Sequence, residues 1–255
     1  MAKRVLAIVS IILFVSPLFS YDGPVGVTFR APLIQNAQVS LALMSIQSEV
    51  VRDVAWKNPK DRAFPTDFVA TKANTTIDLT LVNSGDSNIK TKLLVPYDAS
   101  ATLGTGFTEP ESFEATVNGE PLKMENGPQS RKGDSMVVVR SYAADIEIEA
   151  NSKAILKIKT VHPLAVNPWY SFVFHDERQL FKGFNELFGN ESRVQFEIWS
   201  NDKSIRDSRC EVRFALRSEG YESQQIKISD LTKRFFAKKI RPSEIRKIRI
   251  SWPQS

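Results

Sequence analysis

Three carboxylates crowd into one short stretch, Glu109, Glu111 and Glu114, around Pro110. Two carboxyl groups facing each other across a cleft can divide general-acid and general-base work on a glycosidic bond. A proline-containing loop offers them solvent rather than a cleft. His175-Asp176-Glu177 is the second reactive-looking cluster, but it coincides with an expected helix start, where Asp176 caps the first turn. The two histidines and the single cysteine stand at no metal-ligand spacing. Ser87-Asn88-Ile89-Lys90 and Ser200-Asn201-Asp202-Lys203 fit Ser-x-x-Lys, in which the lysine one helical turn on activates the serine. Both fall in turns at strand ends, without the Ser-Asp-Asn and Lys-Thr-Gly partners. Gly104-Thr105-Gly106 lacks a third glycine and a following helix, so no phosphate-cradling loop is expected. Cys210 alternates with Val212, Phe214 and Leu216 and is expected to be a buried, inert thiol. The reading yields no catalytic residue, no cofactor and no metal site, and the expectation is a protein that is not an enzyme.

Charge is the remaining signal. Residues 21–160 hold 15 Lys and Arg against 17 Asp and Glu, whereas 161–255 hold 17 against 12. The excess concentrates in Lys233, Arg234, Lys238, Lys239, Arg241, Arg246, Lys247 and Arg249, with Glu244 the lone acid among them. These eight are the candidate anion-binding residues, since ammonium and guanidinium groups neutralise phosphate, sulfate or carboxylate. Arg209, Arg213 and Arg217 line the polar face of an earlier strand, and a basic patch results if that strand neighbours the one ending at Trp252. Acidic polysaccharide, lipopolysaccharide or another envelope protein are the partners this composition fits; nucleic acid is not expected. The competing explanation is that Lys and Arg on an exposed strand deter edge-to-edge aggregation.

The elements that must carry these residues read as strands. Val39, Leu41 and Leu43 alternate, and the apolar phase then slips to Met44 and Ile46, as a β-bulge requires. Ile77, Leu79 and Leu81 precede the turn Asn83–Asn88, and Ile89–Val95 follows, a pattern that predicts a hairpin. Asn118-Gly119 predicts a two-residue turn, because both positions tolerate positive φ. Ala144–Glu149 and Ile155–Val161 alternate on either side of Asn151-Ser152. His162-Pro163 to Pro168 reads as a linker, with His162 a surface or hinge residue. Beyond it, Leu180, Phe181, Phe184, Leu187 and Phe188 recur at helical spacing between Asp176 and Gly189. The expected fold is all-β: a two-domain antiparallel β-sandwich protein with one short helix, an N-terminal domain over 21–164 and a smaller C-terminal β-domain over 165–255.

Residues 1–20 read as a signal peptide. Lys3 and Arg4 precede the apolar runs Val5–Val9 and Ile11–Val15, which are too short to span a bilayer but suit export. The mature chain is expected to begin near Tyr21, in the periplasm or at the cell surface, with no transmembrane segment after cleavage.

The stretch Ile77–Gly85, then Leu93-Leu94-Val95-Pro96, then Phe113–Gly119 resembles exported bacterial proteins of unknown function and the vault/inter-alpha-trypsin type of sandwich. That resemblance implies a non-enzymatic envelope role. Gln225–Leu231 with Arg241–Ser251 resembles the closing strands of galactose-binding-type jelly rolls, which implies carbohydrate binding, with Trp199 as the candidate platform. Together these readings lead to the expectation of an exported, non-catalytic binding or scaffolding protein of the bacterial cell envelope. A subunit of a larger envelope assembly and a polysaccharide hydrolase are the alternatives.

Overall fold

The structure, a computed structural model, describes residues 27–52, 71–102, 106–107, 109–131, 137–164, 169–174, 180–202, 209–216, 221–227 and 234–251. The expected signal peptide and the His175-Asp176-Glu177 cluster lie outside them. Alternation dictates the architecture. In Ser152–Leu164, Ala154, Leu156 and Ile158 are buried between the exposed Lys153, Ile155, Lys157 and Lys159, so the strand must set one face against a second apolar layer.

Two mixed sheets result. Numbered in chain order, the first runs β10 (Ser130–Arg131), β11 (Val137–Ile148), β5 (Ile89–Thr102), β1 (Val27–Arg30), β13 (Trp169–Val173), β19 (Ile245–Ser251), β16 (Arg209–Leu216) and β17 (Tyr221–Lys227). The short strands β2 (Leu33–Ile34), β6 (Gly106–Phe107), β9 (Glu125–Asn126) and β14 (Asn185–Glu186) attach beside this path, making twelve among the described residues. The second sheet runs β18 (Arg234–Ile240), β15 (Phe188–Trp199), β3 (Val39–Arg52), β4 (Thr71–Asn83), β12 (Ser152–Leu164), β7 (Ser112–Val117) and β8 (Glu120–Pro121). Their inner faces share one core, in which Phe172, Phe174, Phe196, Met44, Ile46 and Leu79 are fully buried.

The fold is the expected all-β sandwich, with differences in detail. Pairing is not wholly antiparallel: β1 runs parallel to β13, and β15 parallel to β3. Those two ladders also join residues from either side of position 165, so the stretches 21–164 and 165–255 share both sheets. The described part of the expected helix, 180–188, is a turn followed by strand. Gly183 has φ +81°, which a right-handed helix cannot accommodate. Phe181 instead packs on the outside of the first sheet against Leu33, Leu94, Val139 and Ala143.

The expected β4–β5 hairpin is an arch: the chain crosses from one sheet to the other at Ser84–Asn88. The β11–β12 turn crosses beside it. Asn83 is buried and ties the two crossings together, donating through Nδ2 to the carbonyls of Ser87 (2.9 Å), Ile148 (3.2 Å) and Glu149 (2.9 Å) while accepting from the Gly85 amide. The expected bulge in β3 is present, but it comes before Leu43 rather than after it: the register against β4 shifts between Leu41 and Leu43, and Leu43 is exposed. Asn118 and Gly119 both adopt positive φ at the β7–β8 turn, as expected.

His162 is not in a linker. β12 continues to Leu164, and Pro163 pairs with Lys72 of β4. The backbone of Val161 faces β7, where its carbonyl accepts from Glu111. Pro163, two residues on, turns the same side outward beyond the end of β7, where no partner requires its missing N–H.

Candidate functional site

Alternation in β19 sends Ile248 inward, fully buried, and leaves Lys247 half-buried and Arg249 exposed on the outer face of the twelve-stranded sheet. β19 and β16 are neighbours, as the basic-patch reading required, and Arg249 stands directly opposite Arg213, also exposed. On its other side Arg249 faces Ser171 of β13. The same row continues through Thr28 of β1 to Asp98 of β5. One step along the strands, Lys247 lies between Val173 and Ala215. Arg30 lies beyond Val173, with Nε 2.6 Å from Oδ1 of Asp98.

This polar strip is largely shielded from water at its centre. Thr28 and Ser171 are buried, and the Ser171 hydroxyl has no hydrogen-bond partner. Burial, reinforced by Arg249, pushes the Lys247 ammonium below its ordinary pKa, although Asp98 pulls the other way.

The eight candidate anion-binding residues do not all reach this face. Lys233 lies outside the described residues. Arg234, Lys238 and Lys239 belong to β18 at the edge of the other sheet, where Lys239 is exposed. Arg241 sits at the crossover to β19 with Nη1 3.3 Å from a carboxylate oxygen of Glu244. Arg246 is the extra residue at a register shift in β19, between Ile245 and Lys247, where the alternation is interrupted. Arg213 joins Lys247 and Arg249 instead, while the side chains of Arg209, Arg217 and Cys210 lie outside the description.

A second polar cluster occupies the interior near one side of the sandwich. Arg140 and Tyr142 of β11 point inward, and Tyr97 of β5 stacks on Tyr142 with ring centroids 5.5 Å apart. Phe113 of β7 covers Tyr142 from the other side at 4.1 Å. Glu109 joins the sheets: its carboxylate accepts from the Tyr97 hydroxyl and is paired with Arg140. Tyr97, Glu109, Arg140 and Tyr142, together with Asn126, Gly127, Gln129 and Ser141, line a cleft of about 440 Å³. Behind it His162 is 2% exposed, its ring edge-on to Phe29 at 4.8 Å and to Tyr97 at 5.8 Å. Nδ1 lies 3.1 Å from the Thr160 hydroxyl and Nε2 has no partner. Burial lowers its pKa to about 3 and raises that of Tyr97.

Of the three clustered carboxylates, only Glu109 reaches the cleft. Glu111 pairs with Lys72 at 3.2 Å, and Glu114 is exposed on β7 opposite Lys159. The Ser-x-x-Lys serines are structural: the Ser87 carbonyl serves the arch, and the Ser200 hydroxyl is buried, donating to the Val50 carbonyl at 2.6 Å. Trp199 is half-buried in β15, opposite Glu49. Arg140 escapes the sequence reading and His162 is misplaced by it into a linker, although alternation marks both. They occupy the inward phase of their strands, after Val138 and after Leu156, Ile158 and Thr160.

No family model matches the chain, and no curated protein matches it. Among solved structures, a provisionally named nutrient binding protein from Legionella pneumophila superposes with a TM-score of 0.52 at 10% identity, over 90% of this chain and 72% of its own. The M1 zinc metallopeptidase of Deinococcus radiodurans gives 0.35 at 7% identity, over 85% of this chain and 43% of its own. Yeast LTA4 hydrolase gives 0.35 at 9%, over 84% and 28%. The chain thus spans less than half the length of these two enzymes. The likeness to the Legionella protein is one of fold; the likeness to the enzymes is too slight to bear on function.

Proposed function

We propose that this chain is an exported, non-catalytic binding protein of the bacterial cell envelope that engages acidic polysaccharide or lipopolysaccharide through the outer face of its twelve-stranded sheet. The observation that carries this reading is the register that sets Arg213 against Arg249. Two guanidinium groups side by side on an exposed face attract a polyanion lying across the strands, and Lys247 on the same face extends the attraction. The fold's likeness to a structure provisionally named a nutrient binding protein supports a binding role. Hydrolysis needs a second carboxylate across the cleft from Glu109, and among the described residues lining it Glu109 is the one carboxylate present.

Retention on a sulfated-polysaccharide column tests the binding. The protein should be held in low salt and released as salt rises, because exposed charges are screened beyond about 10 Å at 0.1 M. Passage through the column unretained in low salt would overturn the reading. Export is tested by cell fractionation: the expected product is extracytoplasmic and begins near Tyr21, and a cytosolic product with residues 1–20 intact would refute it.

A further inference from the structure

We propose that the cleft between β11 and the strap 126–129 binds a free α-amino acid, its carboxylate on Arg140 and its ammonium on Glu109. This second site goes beyond the polymer binding proposed above. Strands β5, β1 and β13 lie between β11 and the basic face at β19.

Uneven cover along β11 makes the cleft. β9 pairs with it at Tyr142 and Ala143, and β10 at Val138 and Val139. Between these ladders three residues, 127–129, stand against two, Arg140 and Ser141. One residue is left over, the arrangement of a β-bulge, which bends the strand and interrupts its pairing. The bowed strap is fixed in place: the Gly127 amide donates to the Ser141 carbonyl at 2.8 Å, and the Ser141 hydroxyl to the Pro128 carbonyl at 2.6 Å. The resulting volume, about 440 Å³, falls in the range of small-molecule sites, about 300–1,000 Å³.

The charge pair in its wall sets the chemistry. Glu109 and Arg140 touch, yet their side chains remain 39% and 33% exposed, so both present polar atoms to the cleft. The Tyr97 hydroxyl donates to the same carboxylate and fixes its direction. A guanidinium has five N–H donors and a carboxylate about four acceptor sites, more than one mutual contact uses. Because cation and anion are in contact, a ligand that engages both must carry its own opposite charges only a few atoms apart. An α-amino acid, with a single carbon between carboxylate and ammonium, has that spacing, and its charges lie antiparallel to those of the pair.

The rest of the lining favours the same class. Among the described residues it holds one carboxylate and one guanidinium, so it has no excess charge to attract a polyanion. Asn126 and Gln129 are exposed at the rim, each with an amide that both donates and accepts. Such groups suit the remaining protons of an ammonium and the second oxygen of a carboxylate. Both faces of Tyr142 are covered, by Tyr97 and by Phe113, which leaves it no open ring face for a sugar to stack on.

Isothermal titration of the whole protein at pH 7 with each of the twenty standard L-amino acids, and with D-glucose, tests the site. At least one amino acid should bind with one-site stoichiometry. Its methyl ester and its N-acetyl derivative, each lacking one of the two charges, should bind at least about tenfold more weakly, the worth of one hydrogen bond to a charged group. E109Q, which keeps an acceptor for the Tyr97 hydroxyl but loses the charge, should weaken binding by a similar factor. N126A/Q129A alters only exposed rim side chains and should weaken binding while the urea midpoint stays where it was. Absence of binding by every amino acid, or binding of glucose alone, would overturn the proposal. So would equal affinity for the methyl ester and the N-acetyl derivative, or unchanged affinity in N126A/Q129A, which would put the bound molecule elsewhere.

Discussion

His162 illustrates what a single inward position decides. Its ring is buried among Phe29, Tyr97 and Thr160, and burial holds its pKa at about 3, well under the ordinary 6.5. The unfolded chain therefore binds a proton that the folded chain refuses. Stability is full above about pH 6.5 and falls as pH drops toward 3, by up to about 1.4 kcal/mol per unit. Urea midpoints at pH 7 and pH 5 should differ more for the wild type than for H162F, whose ring keeps the aromatic contacts and cannot titrate. Equal differences would refute this. Arg140 acts on the same cluster: R140M leaves the half-buried Glu109 carboxylate without its cation and should cost about 1–3 kcal/mol in urea unfolding. Both residues were legible in principle, because each follows its strand's apolar phase. A polar residue on that phase, next to Pro163 in one case and at the end of a short run in the other, mimics the end of a strand.

At the scale of the element, Asn83 carries more than its place in a turn implies. N83A removes the donor for three carbonyls at once, and N83D keeps only the acceptor for Gly85. N83A should destabilise by about 3 kcal/mol or more, with N83D close to it; a loss under 1 kcal/mol would show that water replaces the bonds. Gly127 is held just as tightly, since an added Cβ would stand 2.5 Å from the Ser141 hydroxyl and 3.2 Å from its carbonyl oxygen. G127A should therefore cost about 1–3 kcal/mol by overpacking, read as a lowered urea midpoint. Period-two alternation located β3, β4, β11 and β12, and signalled a bulge in β3, although it put the slip after Leu43 rather than before it. It could not tell a hairpin from an arch, because both bury one face and differ only in whether the two strands lie side by side or face to face. The spurious helix has a related cause. Leu180, Phe181 and Phe184 have helical spacing but serve a turn packed on the outside of a sheet.

At the scale of the molecule, the shared sheets join distant parts of the chain. Because β1 pairs with β13 and β3 with β15, a fragment ending at residue 164 loses the strands that continue both sheets beyond β1 and β3. Expressed alone it should give no cooperative thermal transition, whereas the chain with residues 165–255 restored should. Sequence composition pointed to a basic C-terminal half. It could not reveal that the run from Arg234 to Arg249 crosses between sheets, nor that Arg213, 36 positions before Arg249, stands at its side. The central claim is that one face, rather than total charge, binds acidic polymers. It is tested most directly by the salt needed to elute two equally charged double variants from a sulfated-polysaccharide column. R213S/R249S should elute at clearly lower salt than the wild type, and K153S/K159S, on the outer face of the other sheet, should elute near it. Equal shifts in the two variants would contradict the account.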